Sequence, residues 1–337
     1  MQKNKRSKKM KKIGKNILKV LGCTFVCLSL MVAGLSIYNH IKLTGEINAI
    51  KDKGYYNPVS TGDHSLNVYV TGNENGDHTI VALSGWSDGE MYIGWRPLTS
   101  QFEDDNQFVF IDRAGYGLSD DVRESMTIDY VVEDYRTALR NAGIEGPYIL
   151  LSHSLGSLYT AYWESTYPDE IEACIFMDGT LPISAEEVDE VLQKRSFTDN
   201  ILNEVTSRLP YFLTHTGLSR IVDINAAFYG DVMSCLDPYD RYEAFSLINS
   251  TYASHACLYE LIHVNSGEEL SWTWENIVTN DIPKIYLAAS DYEGALTYAD
   301  RLGNTEVYDL PGDHVIFLDR TEDCAVIIDG FLACLDA

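Results

Sequence analysis

The sequence predicts an α/β architecture. A mostly parallel sheet carries helices on both faces, is interrupted by a helical cap insertion, and follows an N-terminal transmembrane helix. Three observations lead there. From about residue 55 onward, short apolar runs of strand length alternate with helix-length periodic segments, the rhythm of a parallel sheet buried on both faces. A Tyr-rich, helically patterned block breaks that rhythm over about 182–280, after which it resumes. An uncharged run of 19 residues, Val20 to Tyr38, follows a strongly basic N-terminus. A helix needs about 20 such residues to cross the hydrocarbon of a bilayer.

The basic segment comes first. Residues 1–20 hold nine Lys/Arg, from Lys3 to Lys19, and no acid. Residues 1–19 read as a cytoplasmic arm, 20–38 as a membrane anchor and 39–54 as a linker. The apolar core of a secretory signal is shorter, about 7–15 residues, so an uncleaved single-pass anchor in the cell membrane is expected. Cleavage near Gly34-Leu35-Ser36, giving a secreted protein, is the alternative. Basic flanks stay in the cytoplasm, which puts the body outside. Beyond residue 20 the chain has 16 basic and 50 acidic residues, a net of −34, and such a surface repels nucleic acid.

In the body, strands are expected at 64–71, 79–83, 107–111, 148–151 and 173–177, with helices at 127–141 and 155–167. The first helix runs toward Gly143 and the second stops at Pro168. After the block come strands 283–289 and 306–310 and a last helix, 321–335. Residues 55–182 and 281–337 therefore form one core, and 183–280 a helical cap inserted into it. Tyr211, Phe212, Tyr242 and Tyr252 are among many aromatics in that block. Most serve packing, though some would suit an acyl or aromatic pocket. Of seven cysteines, most are expected as buried apolar residues. A Cys235–Cys257 disulfide is conceivable in an exported body. No His/Cys/Asp/Glu cluster has metal-ligand spacing, and no cofactor is expected.

One segment carries chemistry by itself. Tyr148-Ile149-Leu150-Leu151-Ser152-His153-Ser154-Leu155-Gly156 reads as strand, tight turn, helix. Small residues two before and two after Ser154 permit the sharp turn of a nucleophile elbow. Three further segments fall in order around it: Ser84-Gly85-Trp86 at the end of a buried strand, Asp112-Arg113-Ala114-Gly115-Tyr116-Gly117-Leu118-Ser119, and Asp291 followed by His314.

On these four places the chain, over residues 55–337, resembles the α/β-hydrolase fold family, and within it the membrane-anchored bacterial serine hydrolases of unassigned substrate. The resemblance implies a Ser-His-Asp enzyme of the carboxylesterase or lipase type. Ser154 would be the nucleophile, His314 the general base and then acid, and Asp291 the carboxylate orienting it. Asp178, in Met177-Asp178-Gly179, is the alternative acid. Backbone N–H groups of Trp86 and Leu155 would form the oxyanion hole. Ser84 departs from the family's usual His at its position. Gly115 and Gly117 read as backbone-geometry residues, and Arg113 as a structural ion pair or a brace for the oxyanion loop. A Ser at the elbow argues against the Asp nucleophile of dehalogenase-like and epoxide-hydrolase-like relatives. The implied partners are a small ester-like or thioester substrate and the membrane. The alternatives are an amide- or peptide-cleaving, aminopeptidase-like enzyme and a non-catalytic binding module on the same fold.

Overall fold

The computed structural model describes residues 2–222, 229 and 232–336, with side chains from residue 13 onward. Helix α1 (Gln2–Ile50) leads through a π-helical turn, Lys51–Tyr55, into the body. Then come β1 (Pro58–Ser60), β2 (Ser65–Gly72), β3 (His78–Leu83), the short helices α2 (Met91–Gly94) and α3 (Arg96–Thr99), and β4 (Asn106–Asp112). Helix α4 (Ile128–Ala142), β5 (Tyr148–His153), α5 (Gly156–Thr166) and β6 (Ile171–Met177) complete the first half of the core. The insertion holds α6 (Ala185–Lys194), α7 (Phe197–Thr216), α8 (Pro238–Tyr252), α9 (His255–Ser266) and α10 (Glu268–Asn276). The chain closes with β7 (Lys284–Ala288), α11 (Tyr292–Leu302), β8 (Thr305–Asp309), α12 (Ile316–Asp319) and α13 (Thr321–Leu335).

The eight strands form one sheet in the order β1-β2-β4-β3-β5-β6-β7-β8. β1–β2 and β2–β4 pair antiparallel and all later pairs are parallel. Successive strand side chains point to opposite faces. Ile80, Phe108, Ile149 and Ile175 accordingly fill one core, and Val81, Val109, Leu150 and Cys174 the other. Both cores are apolar along the middle of the central strands, with buried polar residues such as Asn106, Asp112, Ser152 and His153 at the strand ends. Helix α4 shows how the covering layer is specified. Ile128, Val131, Val132, Tyr135, Ala138 and Leu139 recur at helical spacing and are buried, and Gly143 ends the helix in a left-handed cap (φ 72°).

The segment read as a linker, 39–54, is helical to Ile50 and docked on the cap. Asn39 and Ile50 are buried. The Ser36 hydroxyl donates to the His215 carbonyl (2.5 Å), and Asn39 Nδ2 to the Thr214 carbonyl (2.7 Å). Arg220 reaches Glu46 at 2.6 Å, and Lys53 reaches Glu243 at 2.6 Å. These charges look locally like the end of a membrane helix, but they are paired by residues nearly 200 positions away, so the helix persists. All seven cysteines are free, with Cys174, Cys257 and Cys324 buried and Cys235 exposed.

Candidate active site

The loops after β3, β5, β6 and β8 leave the same edge of the sheet, where the strands' C-terminal ends lie. Such an edge is where open parallel sheets build their sites. After β5 the backbone turns sharply into α5, and Ser154 takes φ +49°. That is a left-handed conformation few non-glycine residues adopt. The Thr180 N–H donates to the Ser154 carbonyl and the Ser154 N–H to the Met177 carbonyl, holding the turn against the β6 loop. Gly156 makes the turn possible, because a Cβ there would sit 2.2 Å from the Leu83 carbonyl oxygen. Ser152, the small residue on the other side, is buried with its hydroxyl donating to the Ile175 carbonyl.

The turn brings the Ser154 hydroxyl 2.8 Å from His314 Nε2, 160 residues later in the chain. His314 Nδ1 in turn lies 2.6 Å from Asp178 Oδ2. Asp178 is buried at the end of β6, itself at φ +41°. Its Oδ1 accepts the N–H groups of Ala289 and Ser290 at 2.8 and 2.9 Å, and the Ser290 hydroxyl bonds both oxygens. Burial pushes the Asp178 carboxyl upward, but His314 and these N–H donors outweigh it and hold it below the ordinary carboxylate value. Desolvation pulls the His314 imidazole downward, and the Asp178 carboxylate overcomes it, leaving the ring above its ordinary value. The arrangement fixes a proton on Nδ1 and turns the Nε2 lone pair toward the Ser154 hydroxyl.

Asp291, for which the sequence predicts the His314 contact, does something else. It is the N-cap of α11, its carboxylate accepting the Gly294 N–H at 2.9 Å. The strand β7 that it follows supplies the Ala289 and Ser290 amides to Asp178 instead. The alternative acid thus meets the imidazole, and the first choice is consumed by helix capping.

The loop Ser84-Gly85-Trp86 lies directly against the elbow. A Cβ on Gly85 would be 3.0 Å from Ser154 Cβ and 3.0 Å from His153 Nδ1. Trp86 is half-buried, its indole N–H donating to the Cys257 carbonyl in α9, while Leu155 is buried at the start of α5. Arg113 holds this loop from below. Its Nη1 donates to the Ser84 carbonyl (2.9 Å) and hydroxyl (2.6 Å), and its Nη2 to the Gly85 carbonyl (2.8 Å). Its Nε and Nη2 pair bidentately with Glu260 of α9, at 2.6 and 2.9 Å. Arg113 is therefore both the ion pair and the brace. Fully buried, it ties the cap to the loop, and Tyr116 and Tyr159 hydroxyls complete the Glu260 carboxylate. Gly115 and Gly117 take φ +77° and +51° in the turn, as their reading as backbone-geometry residues requires.

Two residues escape the sequence reading. His153 Nδ1 lies 2.9 Å from Asp88 Oδ2, and its Nε2 2.9 Å from the His314 carbonyl oxygen. Both nitrogens of the ring therefore face oxygen atoms inside the protein. Burial drives the Asp88 carboxyl upward, yet the bond and charge of His153, with the Tyr229 hydroxyl, hold it below its usual value. The pair is buried beneath the His314 loop. No spacing rule points to Asp88, which is simply the fourth residue past the Ser84 position in a turn.

A family model described as the alpha/beta hydrolase fold matches residues 79–319, and the chain belongs to that family. Among curated proteins it is similar to the uncharacterized protein YbdG of Bacillus subtilis, 37% identical over 172 residues, covering 50% of this chain and 52% of that one. It is 31% identical over 103 residues to the uncharacterized protein YqjL of the same organism, covering 31% of this chain and 40% of that one. The chain thus matches about half or less of the length of these relatives. Among solved structures it resembles an epoxide hydrolase from Bacillus megaterium (TM-score 0.61, 18% identity, 82% of this chain and 100% of that one). It also resembles the haloalkane dehalogenase DbeA from Bradyrhizobium elkani (TM-score 0.60, 16% identity, 83% and 98%). At these identities the likeness is one of fold.

Proposed function

We propose that this protein is a serine hydrolase that cleaves a carboxylic ester or thioester through an acyl-enzyme. The observation that carries this reading is the unbroken chain from Ser154 Oγ through His314 to Asp178. Ser154 Oγ attacks the substrate carbonyl as His314 Nε2 takes its proton. The N–H groups of Trp86 and Leu155 hold the developing oxyanion. His314 then protonates the leaving alcohol or thiol, and a water activated by the same nitrogen hydrolyses the acyl group from Ser154. Asp178 keeps Nδ1 protonated and stabilises the imidazolium that forms.

The solved relatives named for epoxides and haloalkanes raise a second substrate class, and the residue at the elbow speaks against it. Attack of a serine hydroxyl on an alkyl carbon would leave an ether. An ether has no carbonyl for water to attack, so the cycle would stop after one event. An acyl substrate leaves an ester, which water can open.

The location is part of the same proposal. Helix α1 is the one described helix long and apolar enough to cross a membrane, and its most apolar 18-residue window is not buried in the protein. We read residues 20–38 as a single span with the basic arm in the cytoplasm and the hydrolase body outside. The test of function is a fluorophosphonate probe on the full chain, followed by a panel of p-nitrophenyl esters of graded acyl length beside aminoacyl anilides. Labelling of Ser154 and turnover of esters are expected. Turnover of anilides alone would move the assignment to amide cleavage, and a folded protein that neither labels nor turns over would refute it.

A further inference from the structure

Helix α7 carries apolar side chains on its outer as well as its inner side. Its face toward the body holds Ser207 (5% exposed), Pro210, Leu213 and Thr214 (1% exposed). The opposite face presents Phe197 (80% exposed), Ile201, Val205, Leu209 and Phe212 (55% exposed), recurring every three or four residues along five turns. A surface helix normally turns its apolar stripe inward. Contiguous exposed apolar surface of this kind marks an interaction site. Just beyond the helix end, Ile221 and Val222 are also exposed, at 67% and 52%.

The position of α7 along α1 says what covers this stripe. The last turn of α7 docks where Ser36 meets the His215 carbonyl and Asn39 meets the Thr214 carbonyl. At Gly217, which caps the helix, a Cβ would lie 2.5 Å from the Leu35 carbonyl oxygen. Leu35 and Ser36 belong to the uncharged run that ends at the exposed Tyr38. A tyrosine there suits the headgroup level of a bilayer. At about 1.5 Å per helical residue, docking at positions 35–36 puts the end of α7 about 3–5 Å to the membrane side of Tyr38. The cap is therefore clamped directly onto α1 beside Leu35, Ser36 and Asn39.

From this geometry we propose that the exposed face of α7, with Ile221 and Val222, is a lipid-docking surface that seats the cap on the bilayer spanned by α1. The proposal rests on the membrane reading of residues 20–38 and adds to it a second, peripheral contact. The stripe is an in-plane amphipathic element of the kind that buries its apolar side at the headgroup–acyl boundary. It would hold the site of Ser154 close to the membrane and favour acyl substrates that partition into lipid.

The full chain reconstituted in phosphatidylethanolamine–phosphatidylglycerol vesicles, carrying a trace of phospholipid with a photoreactive diazirine acyl tail, provides the test. Peptides labelled after irradiation are mapped by mass spectrometry. Labelling within 197–222 as well as within 20–38 is the expected result, and the double substitution Ile201→Glu, Phe212→Glu should abolish the former while leaving the latter. Labelling confined to 20–38 would overturn the docking surface and leave the anchor standing. Labelling of neither would remove both. An α7 that is unlabelled, while a Val205→Cys variant under mild oxidation forms a disulfide through position 205 with the same position of another molecule, would assign the face to a second copy of the chain and refute the lipid contact.

Discussion

Two histidine–aspartate pairs lie side by side at the edge of this sheet, with ring centroids 4.8 Å apart, and they do different work. His314 has one nitrogen held by Asp178 and the other turned to the Ser154 hydroxyl on the exposed side of the site. His153 has both nitrogens occupied by acceptors in the interior, Asp88 and the His314 carbonyl. The first ring keeps one nitrogen at the site's open side, where the proposed mechanism needs it. The second is bonded to protein oxygens on both sides and acts as a strut for the loop that carries the first. The comparison shows that sequence proximity to Ser154 does not decide which ring meets its hydroxyl: His314, 160 residues away, does, and His153 beside it does not.

The largest effect that would break this contrast is at the nucleophile and its acid. Ser154→Ala should abolish covalent labelling while leaving the thermal unfolding transition in place. Asp178→Asn should lower kcat by roughly 10³–10⁴-fold, because the amide favours the wrong imidazole tautomer. It should also shift the pH profile. His314 sits above its ordinary pKa, with the Asp178 carboxylate raising it against burial. The base is neutral above that pKa, so activity falls as pH drops through it. Without the Asp178 charge the acidic limb should move to lower pH, measurable in kcat/KM between pH 5 and 9.

A smaller effect belongs to the strut. His153→Ala removes a hydrogen-bond partner of the buried Asp88 carboxylate and should destabilise the fold by about 1–3 kcal/mol. That loss is readable as a lower denaturant midpoint, with covalent labelling of Ser154 still detectable in the folded fraction. Smallest is Asp291→Ala. The loss of a helix N-cap should cost about 1 kcal/mol of stability, with kcat unchanged.

Much of this was legible in the sequence, and the parts that were not share a cause. The elbow is encoded in nine consecutive residues, since strand, turn and helix each follow from local pattern, and Gly156 is needed where the helix meets β3. The alternation of the core strands is equally local. The choice between Asp178 and Asp291 is not. Both follow neighbouring parallel strands, and the outcome depends on which carboxylate the Ala289 and Ser290 amides reach and which one caps a helix. The continuation of α1 to Ile50 is hidden for the same reason. Glu46 and Lys53 find their partners, Arg220 and Glu243, only in the folded cap. Asp88 and Glu260 likewise gain meaning from contacts across the fold, with His153 and Arg113 respectively.

In the proposed mechanism His314, oriented by Asp178, activates Ser154. The most direct test of this step is the rate of Ser154 phosphonylation by a fluorophosphonate, compared among the wild-type chain, Asp178→Asn and Asp291→Asn. A loss of orders of magnitude is expected for Asp178→Asn and an unchanged rate for Asp291→Asn. Equal reactivity of wild type and Asp178→Asn, or a collapse on changing Asp291 alone, would contradict it.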